Sequence, residues 1–127
     1  MLSGTEALIS RGRELFNRGD FFEAHEVWEE AWLAETGSTR RMLQGLIQIA
    51  AALLKAGRSE HPGGCLRLLD AGIEKLEGDA DPAAGLALAP FVASLRNLRP
   101  SVAAWAAGTS PAPSAETLPR LGVQEVV

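Results

Sequence analysis

The sequence predicts an all-α protein, a compact bundle of about five helices with short connections and an irregular C-terminal tail. Apolar residues recur with helical spacing in five successive segments, and glycine or proline residues stand between these segments. The chain is also rich in Ala, Leu, Glu and Arg, which favour helix, and it contains no Tyr. At 127 residues it can form one hydrophobic core. We expect a helical bundle domain at residues 1–100 and an Ala- and Pro-rich tail at residues 101–127.

The first helix is predicted to begin just after Ser3, because Glu6 stands three positions later, as in a capping box. Its apolar residues follow helical periodicity up to about Asn17. Gly19 then suits the left-handed conformation that ends many helices. A second helix therefore follows after one tight turn, and the two should pack as antiparallel neighbours.

The second helix is expected to start after Asp20, which repeats the capping-box spacing with Glu23, and to run to about Glu35. Gly37 interrupts the chain, and a third helix follows with apolar residues over about half of its circumference. These apolar residues are Met42, Leu43, Leu46, Ile47, Ile49, Ala50, Leu53 and Leu54. A helix with so wide an apolar face should lie at the centre of the bundle.

A fourth helix is predicted to begin near Pro62, since proline at a first helical position loses no useful N–H. Asp81 and Pro82 are expected to open a fifth helix that Pro90 kinks or splits. From Gly108 onwards the spacing of apolar residues becomes too irregular for a helix. The aliphatic residues of this tail could pack on the bundle or on a neighbouring copy. They are Leu118, Leu121, Val123 and Val126.

The composition argues against several classes of partner. A net charge of -4 offers no general attraction to phosphate backbones or anionic lipid, so neither nucleic acid nor membrane is expected. No apolar run approaches the roughly 20 residues that span a bilayer, and the first residues lack the pattern of a secretory signal. The single cysteine, Cys65, cannot form an internal disulfide or a thiolate zinc cluster and should be a small buried hydrophobe. The chain is therefore expected to be cytoplasmic and to need no cofactor.

The second helix concentrates the residues that could carry chemistry. Helical geometry places Trp28 and Trp32 in the arc that should pack against the first and third helices. His25 falls beside Trp32, and Glu29 falls next to His25 one turn later. The carboxylates on the far side are Glu23, Glu26 and Glu30. The helix thus separates one carboxylate that should be half-buried from three that should be solvated.

The pairing of His25 with Glu29 has two interpretations. In the first, a partly buried carboxylate needs a partner, and the imidazole supplies a structural bridge whose disruption would cost a few kcal/mol. In the second, His-Glu-x-x-Glu is similar to the zinc protease signature His-Glu-x-x-His. His25 and Glu29 would then bind a metal ion, and Glu26 would activate water in a metal-dependent hydrolase. A third ligand is not evident, because His61 is expected in a loop or at a helix start.

Gln44 and Gln48 form a second polar pair, one turn apart on the third helix. Their side chains could be solvated, could meet His25 and Glu29 across a helix interface, or could line a dimer contact. The sequence leaves these three alternatives open.

Three stretches of the sequence carry a resemblance to a known family. They are Phe-Asn-x-Gly-x-Phe-Phe-Glu-Ala-His-Glu-x-x-Glu-Glu-x-Trp (Phe16 to Trp32), Gln-Gly-Leu-Ile-Gln-x-Ala-Ala-Ala-Leu (Gln44 to Leu53), and Gly64 to Leu69. Over roughly residues 5–99 the chain resembles the small bacterial and archaeal helical proteins known as domain of unknown function 309. The resemblance implies an all-helical bundle and brings no established activity, cofactor or substrate.

The polar positions that characterise this family are all matched in the chain, which suggests a shared site. They correspond to His25, Glu26, Glu29, Gln44 and Gln48. The chain departs from the family pattern at Trp28, at Cys65 and in the tail after Pro100.

Two functional hypotheses follow from these residues. The first is a non-catalytic binding or interaction module, in one version a homodimer, whose polar groove of those five residues contacts a small ligand or a partner helix. The second is the metal-dependent hydrolase with His25 and Glu29 as ligands. An open cleft between the second and third helices would favour a function, whereas a sealed interior would leave only packing.

Overall fold

The computed structural model describes residues 3–77 and 85–124, and these residues form five α-helices. In chain order they are α1 (Gly4–Asn17), α2 (Phe21–Ala34), α3 (Gly37–Gly57), α4 (Pro62–Glu77) and α5 (Leu88–Ala106). One turn of 3-10 helix follows in the tail at Ala115–Thr117. The expected all-α fold, with five helices, short connections and an irregular tail, is confirmed.

The third helix is the central element, as its wide apolar face predicts. It contacts both α2 and α4, while α1 packs on α2 and α5 packs on α4. Its fully buried residues are Met42, Leu43, Leu46, Ile49, Ala50, Ala52 and Leu53. No helix within residues 3–77 or 85–124 combines the length and the apolar composition that crossing a bilayer requires.

The starts of the first two helices differ in how they are capped. The Oγ atom of Ser3 accepts a hydrogen bond of 3.0 Å from the backbone N–H of Glu6, which confirms Ser3 as the residue that caps the first helix. Gly19 has a φ of 85°, the left-handed conformation expected at the turn. The prediction of a second capping box, formed by Asp20 and Glu23, is wrong, because the side chain of Asp20 makes no capping hydrogen bond. Its ψ of 64° lies outside the extended region from which such a side chain reaches the next helical N–H groups.

Glycines allow two close contacts between neighbouring helices. A Cβ atom on Gly12 would lie 2.2 Å from Nε1 of Trp28, which donates a hydrogen bond of 3.2 Å to the carbonyl oxygen of Ile9. A Cβ atom on Gly72 would lie 3.0 Å from the carbonyl oxygen of Gly45. The missing side chains therefore let α2 approach α1 and let α4 approach α3.

The fifth helix departs from the sequence expectation. Its expected opening at residues 81–82 lies outside the described residues. The kink expected at Pro90 is wrong, because α5 begins only two residues earlier and the N–H groups of a first turn have no helical acceptor. The helix also continues through Pro100 to Ala106, past the domain boundary expected at residue 100. Pro100 is exposed, while Val102 is fully buried and fixes the last turns to the core.

Ion pairs join α4 to α5 on the surface. Arg99 donates hydrogen bonds of 2.6 Å and 2.9 Å to the two carboxylate oxygens of Asp70. The hydrogen bond from Arg99 is the main reason why the pKa of Asp70 lies below its usual value. Arg96 pairs with Glu77 through one N–H group and one carboxylate oxygen. Both pairs are exposed, so packing between the two helices contributes more to the fold than these charges do.

The tail packs on its own bundle instead of extending into solvent. Leu121 is fully buried, and its backbone exchanges two hydrogen bonds with the side chain of Asn17. Val123 forms an antiparallel bridge with Leu86, just before α5. The expectation that the aliphatic residues of the tail pack on the bundle is therefore confirmed for Leu121, whereas Val126 lies outside the described residues.

Candidate functional site

The buried side of α2 explains its two tryptophans. Trp28 has no exposed surface and lies with its ring centroid 5.7 Å from that of Phe16. Trp32 is partly buried, and the guanidinium carbon of Arg40 lies 3.9 Å from its ring centroid, which is cation–π geometry. Both tryptophans thus anchor α2 to its neighbours, as their position in the packing arc predicts.

His25 and Glu29 form the predicted pair on α2. The Nε2 atom of His25 lies 3.3 Å from Oε1 of Glu29, one helical turn away. The imidazole side chain is 27% exposed and the carboxylate side chain is 51% exposed. The expected contrast between a half-buried Glu29 and the solvated carboxylates of α2 is therefore wrong, because Glu29 is exposed as they are. A pair this exposed is screened by solvent and contributes on the order of 0–1 kcal/mol.

The imidazole of His25 is more tightly surrounded than its partner. It stacks on Phe22, with ring centroids 6.5 Å apart and ring planes 15° apart. Its Nδ1 atom is buried and has no hydrogen-bond partner among the described residues. An unpaired buried polar atom destabilises a folded protein by about 1–3 kcal/mol. The stacking on Phe22 and the pair with Glu29 offset part of this cost.

One exposed stripe of α2 combines this pair with large apolar residues. We call it the α2 face and define it as Phe22, His25, Glu26, Glu29 and Leu33. Phe22 is 52% exposed and Leu33 is 75% exposed, which is unusual for side chains of this size. Intervals of four, three and four residues separate Phe22, Glu26, Glu29 and Leu33. Each interval is about one helical turn, so the spacing in the sequence already indicates a common stripe.

The α2 helix is also strongly acidic on its solvent side. The carboxylates expected to be solvated are exposed, as predicted: Glu23, Glu26 and Glu30. The helix contains four Glu residues and no Lys or Arg. The α2 face thus carries two exposed apolar side chains within a negatively charged surface.

The two glutamines of α3 are engaged differently from the α2 pair. Gln44 and Gln48 are both half-buried. The Oε1 atom of Gln48 accepts a hydrogen bond of 3.0 Å from Nζ of Lys75 on α4. Within the described residues no hydrogen bond joins either glutamine to His25 or Glu29. Hydrogen bonding therefore leaves the five candidate residues in two groups, one on α2 and one on α3.

The metal-binding alternative has two candidate ligands in this geometry. Within residues 3–77 and 85–124 no group of three or more His, Cys, Asp or Glu side chains could hold a metal ion. Catalytic zinc sites take three protein ligands, so His25 and Glu29 fall one short. His61 is exposed in the turn before α4, with a φ of 54°, as its place beside a helix start predicts.

Cys65 is a core residue, as expected. It is fully buried in α4, and its thiol donates a hydrogen bond of 3.2 Å to the carbonyl oxygen of Ala52. Burial raises the pKa of this thiol from 9.0 to about 11, although the charge of Lys55 acts in the opposite direction. A thiol held protonated in this way is a poor nucleophile, so Cys65 belongs to the packing between α3 and α4.

Comparison with known families supports the resemblance seen in the motifs. Residues 9–68 match the family described as Domain of unknown function (DUF309). No curated protein matches the sequence significantly. The matched range contains α2, α3 and all five candidate residues, and it ends within α4, so it is shorter than the range of about 5–99 expected from the motifs. Residues 9–68 of this α-helical chain therefore match the DUF309 family, as the motifs suggested.

Proposed function

We propose that this protein is a non-catalytic interaction module and that the α2 face binds a partner protein. The carrying observation is the pair of exposed hydrophobic side chains that flank His25 and Glu29. Among the described residues the large hydrophobics that are exposed are Phe22, Leu33 and Val123, and two of these three lie on the α2 face. Exposed apolar side chains grouped on one stripe are typical of surfaces that become buried in a complex.

The unpaired nitrogen of His25 supports a role other than stability. A buried Nδ1 without a partner among the described residues disfavours the isolated folded chain, and the neighbouring Phe22 leaves about half of its surface in water. Residues that break local rules of stability are found preferentially at functional sites. The α2 face carries both features within one helical turn.

The charge of α2 restricts the chemistry of the partner. The helix carries four Glu residues without a compensating Lys or Arg, so electrostatic complementarity favours a partner with a basic surface. Phe22 and Leu33 lie three turns apart on one side of the helix, a spacing that suits two apolar anchors of a helix packed alongside. We therefore propose that the partner presents an amphipathic helix whose apolar anchors are flanked by Lys or Arg.

Gln44 and Gln48 enter this proposal as a second polar patch. Gln44 is half-buried and makes no side-chain hydrogen bond within the described residues, so its amide is available to a ligand or to the same partner. Gln48 would first have to release Lys75. The contribution of α3 is therefore expected to be smaller than that of α2.

The experiment compares capture of partner proteins by matched surface variants. Tagged wild-type protein, Phe22→Ser/Leu33→Ser and Val123→Ser are incubated with lysate of the source cells, and bound proteins are quantified by mass spectrometry. Val123 is an equally exposed hydrophobic residue outside α2 and serves as the control. The proposal requires a protein that binds wild type and Val123→Ser and is lost from Phe22→Ser/Leu33→Ser.

The purified partner then allows a quantitative test. Removing an anchor at the centre of an interface costs about 2 kcal/mol or more, so Phe22→Ser should weaken binding at least tenfold by calorimetry. Glu26→Gln/Glu29→Gln should weaken binding most at low salt. Equal affinities for wild type and the Phe22→Ser/Leu33→Ser protein would contradict the proposal. Sedimentation equilibrium of the chain alone tests the homodimer, since a second copy as partner would give a dimer that dissociates in the same variant.

The metal-dependent hydrolase remains the second candidate because His25 and Glu29 lie side by side. It is tested by elemental analysis of protein purified without a histidine tag, together with melting curves in the presence of a chelator. If wild-type protein contains stoichiometric metal and His25→Gln loses it, the metal-dependent hydrolase replaces the interaction module as the leading function.

A further inference from the structure

A cleft separate from the α2 face lies where the ends of α1 and α3 meet the tail. Its volume is about 540 Å³, which falls within the range of roughly 300–1,000 Å³ that small-molecule sites occupy. The turn after α1 and the last turn of α3 form two of its walls, and tail residues 115–120 form the third. The tail is held in place next to this wall by the hydrogen bonds between Asn17 and Leu121.

The interior of the cleft is apolar. Phe21 is buried, and Leu54 and Leu118 are half-buried members of the hydrophobic core that line it. An apolar floor of this kind stabilises a ligand through the removal of hydrocarbon surface from water.

The rim of the cleft carries three arginines, Arg18, Arg58 and Arg120, and one carboxylate, Glu116. All three arginines are exposed, and none makes a side-chain hydrogen bond or an ion pair within the described residues. By contrast, Arg11, Arg96 and Arg99 each pair with a carboxylate elsewhere on the surface. The rim is therefore positively charged in a chain whose net charge is -4.

Direct hydrogen bonds to helix carbonyl groups do not occupy the arginines at the ends of α1 and α3. Cationic side chains after a helix can stabilise its C-terminal carbonyl groups. At α1, however, the carbonyl oxygens of Leu15 and Phe16 already accept backbone N–H groups at 2.9 Å. At α3 those of Lys55 and Ala56 accept backbone N–H groups at 3.0 Å and 3.1 Å. Among the residues that the structure describes, the guanidinium groups at both helix ends therefore keep their N–H donors for another partner.

We propose that this cleft binds a small organic anion, with the apolar body on Phe21, Leu54 and Leu118 and the anionic group among Arg18, Arg58 and Arg120. Guanidinium groups recognise carboxylate, sulfonate and phosphate oxygens through charge-assisted hydrogen bonds. Because one wall is the tail, the site combines residues inside the DUF309 match with residues outside it. It shares only Phe21 with α2, so it stands independently of the proposed interaction face.

The test uses two fluorescent probes that differ in one charged group. Anilinonaphthalene sulfonate is an organic anion, and N-phenyl-1-naphthylamine is the same aromatic skeleton without the sulfonate. Both are titrated into the full chain and into Arg18→Gln/Arg58→Gln/Arg120→Gln, with Arg41→Gln as an exposed α3 control outside the cleft. Circular dichroism and urea unfolding verify that each variant is folded.

The expected result is saturable binding of one anionic probe per chain, on the order of tenfold tighter than the neutral probe. The triple variant should lose this tenfold preference, whereas Arg41→Gln should keep it. Equal affinities for the two probes in wild-type protein would overturn the proposal. So would an absence of saturable binding, or an equal loss in Arg41→Gln.

Competition identifies the anionic group. Decanoate and 1-naphthyl phosphate are added to the complex of wild-type protein with the anionic probe. Displacement by decanoate at the lower concentration indicates a carboxylate ligand, and displacement by 1-naphthyl phosphate at the lower concentration indicates a phosphate ligand. Failure of both compounds to displace the probe would overturn the proposal, because a site for organic anions in general must accept a carboxylate or a phosphate as well as the sulfonate probe.

Discussion

The side chain of Asn17 at the end of α1 forms two reciprocal hydrogen bonds with the backbone of Leu121. Its Nδ2 group donates to the carbonyl oxygen at 2.9 Å, and its Oδ1 atom accepts from the backbone N–H at 2.8 Å. The amide thus imitates the pairing of an adjacent strand and satisfies a tail segment whose side chain is fully buried. A contact across 104 residues of sequence fixes the tail and with it one wall of the arginine-rimmed cleft.

Asn17→Ala should release the tail. The loss of two hydrogen bonds to a partly buried backbone is expected to lower the free energy of unfolding by about 1–2 kcal/mol in urea titrations. Trypsin should also cleave after Arg120 faster, because a protease needs locally unfolded backbone. Glu74→Ala, at an exposed position of α4, is the control. Identical cleavage rates at Arg120 in the two variants would show that Asn17 does not hold the tail.

Gly12→Ala should disrupt the packing of α1 on α2. The new Cβ atom would lie 2.2 Å from Nε1 of Trp28, which is fully buried and cannot move aside without losing its hydrogen bond to Ile9. Overpacking of this kind costs about 1–3 kcal/mol. Gly63→Ala in α4, where nothing lies closer than 3.5 Å, should instead stabilise the protein by up to about 1 kcal/mol. Urea unfolding measures the free energy of unfolding of both variants. Equal changes relative to wild type would refute the predicted difference between the two glycine positions.

Glu29→Gln should have little effect on stability. The pair with His25 is half open to water, so its loss should change the free energy of unfolding by less than about 1 kcal/mol. If the pair were sheltered from solvent, its loss would lower the free energy of unfolding by about 3–5 kcal/mol instead. Thermal and urea unfolding distinguish these values, and a loss in the larger range would mean that the pair is buried in solution.

The stability of the protein should fall in alkaline solution because of Cys65. The folded state raises the pKa of this thiol from 9.0 to about 11, so between these pH values the unfolded chain releases a proton that the folded chain keeps. This contribution is fully present below pH 9.0, and on the order of 2 kcal/mol is lost as the pH rises through the window to about 11.

Urea unfolding of wild type and Cys65→Ala at several pH values measures this effect. The stability of Cys65→Ala should fall less steeply between pH 9.0 and 11 than that of wild type. Parallel curves for the two proteins would rule out the thiol as the cause.

The sequence by itself determined the helical architecture, because the signals for it are local. Ser3 with Glu6 marked the start of α1, Gly19 marked the turn after it, and the apolar face of α3 marked the centre of the bundle. It also determined that His25 and Glu29 meet, since residues one turn apart on a helix face each other whatever surrounds them.

The tertiary structure decided everything that depends on which surfaces meet. Solvent reaches the side chain of Glu29. The side chain of Gln48 accepts a hydrogen bond from Lys75, and the side chain of Asn17 holds the backbone of Leu121. No local spacing in the sequence encodes these three features. The exposure of Phe22 and Leu33 likewise depends on where the neighbouring helices end. The arginine-rimmed cleft brings together residues from α1, α3 and the tail, and side chains so distant in sequence become neighbours only when the bundle closes.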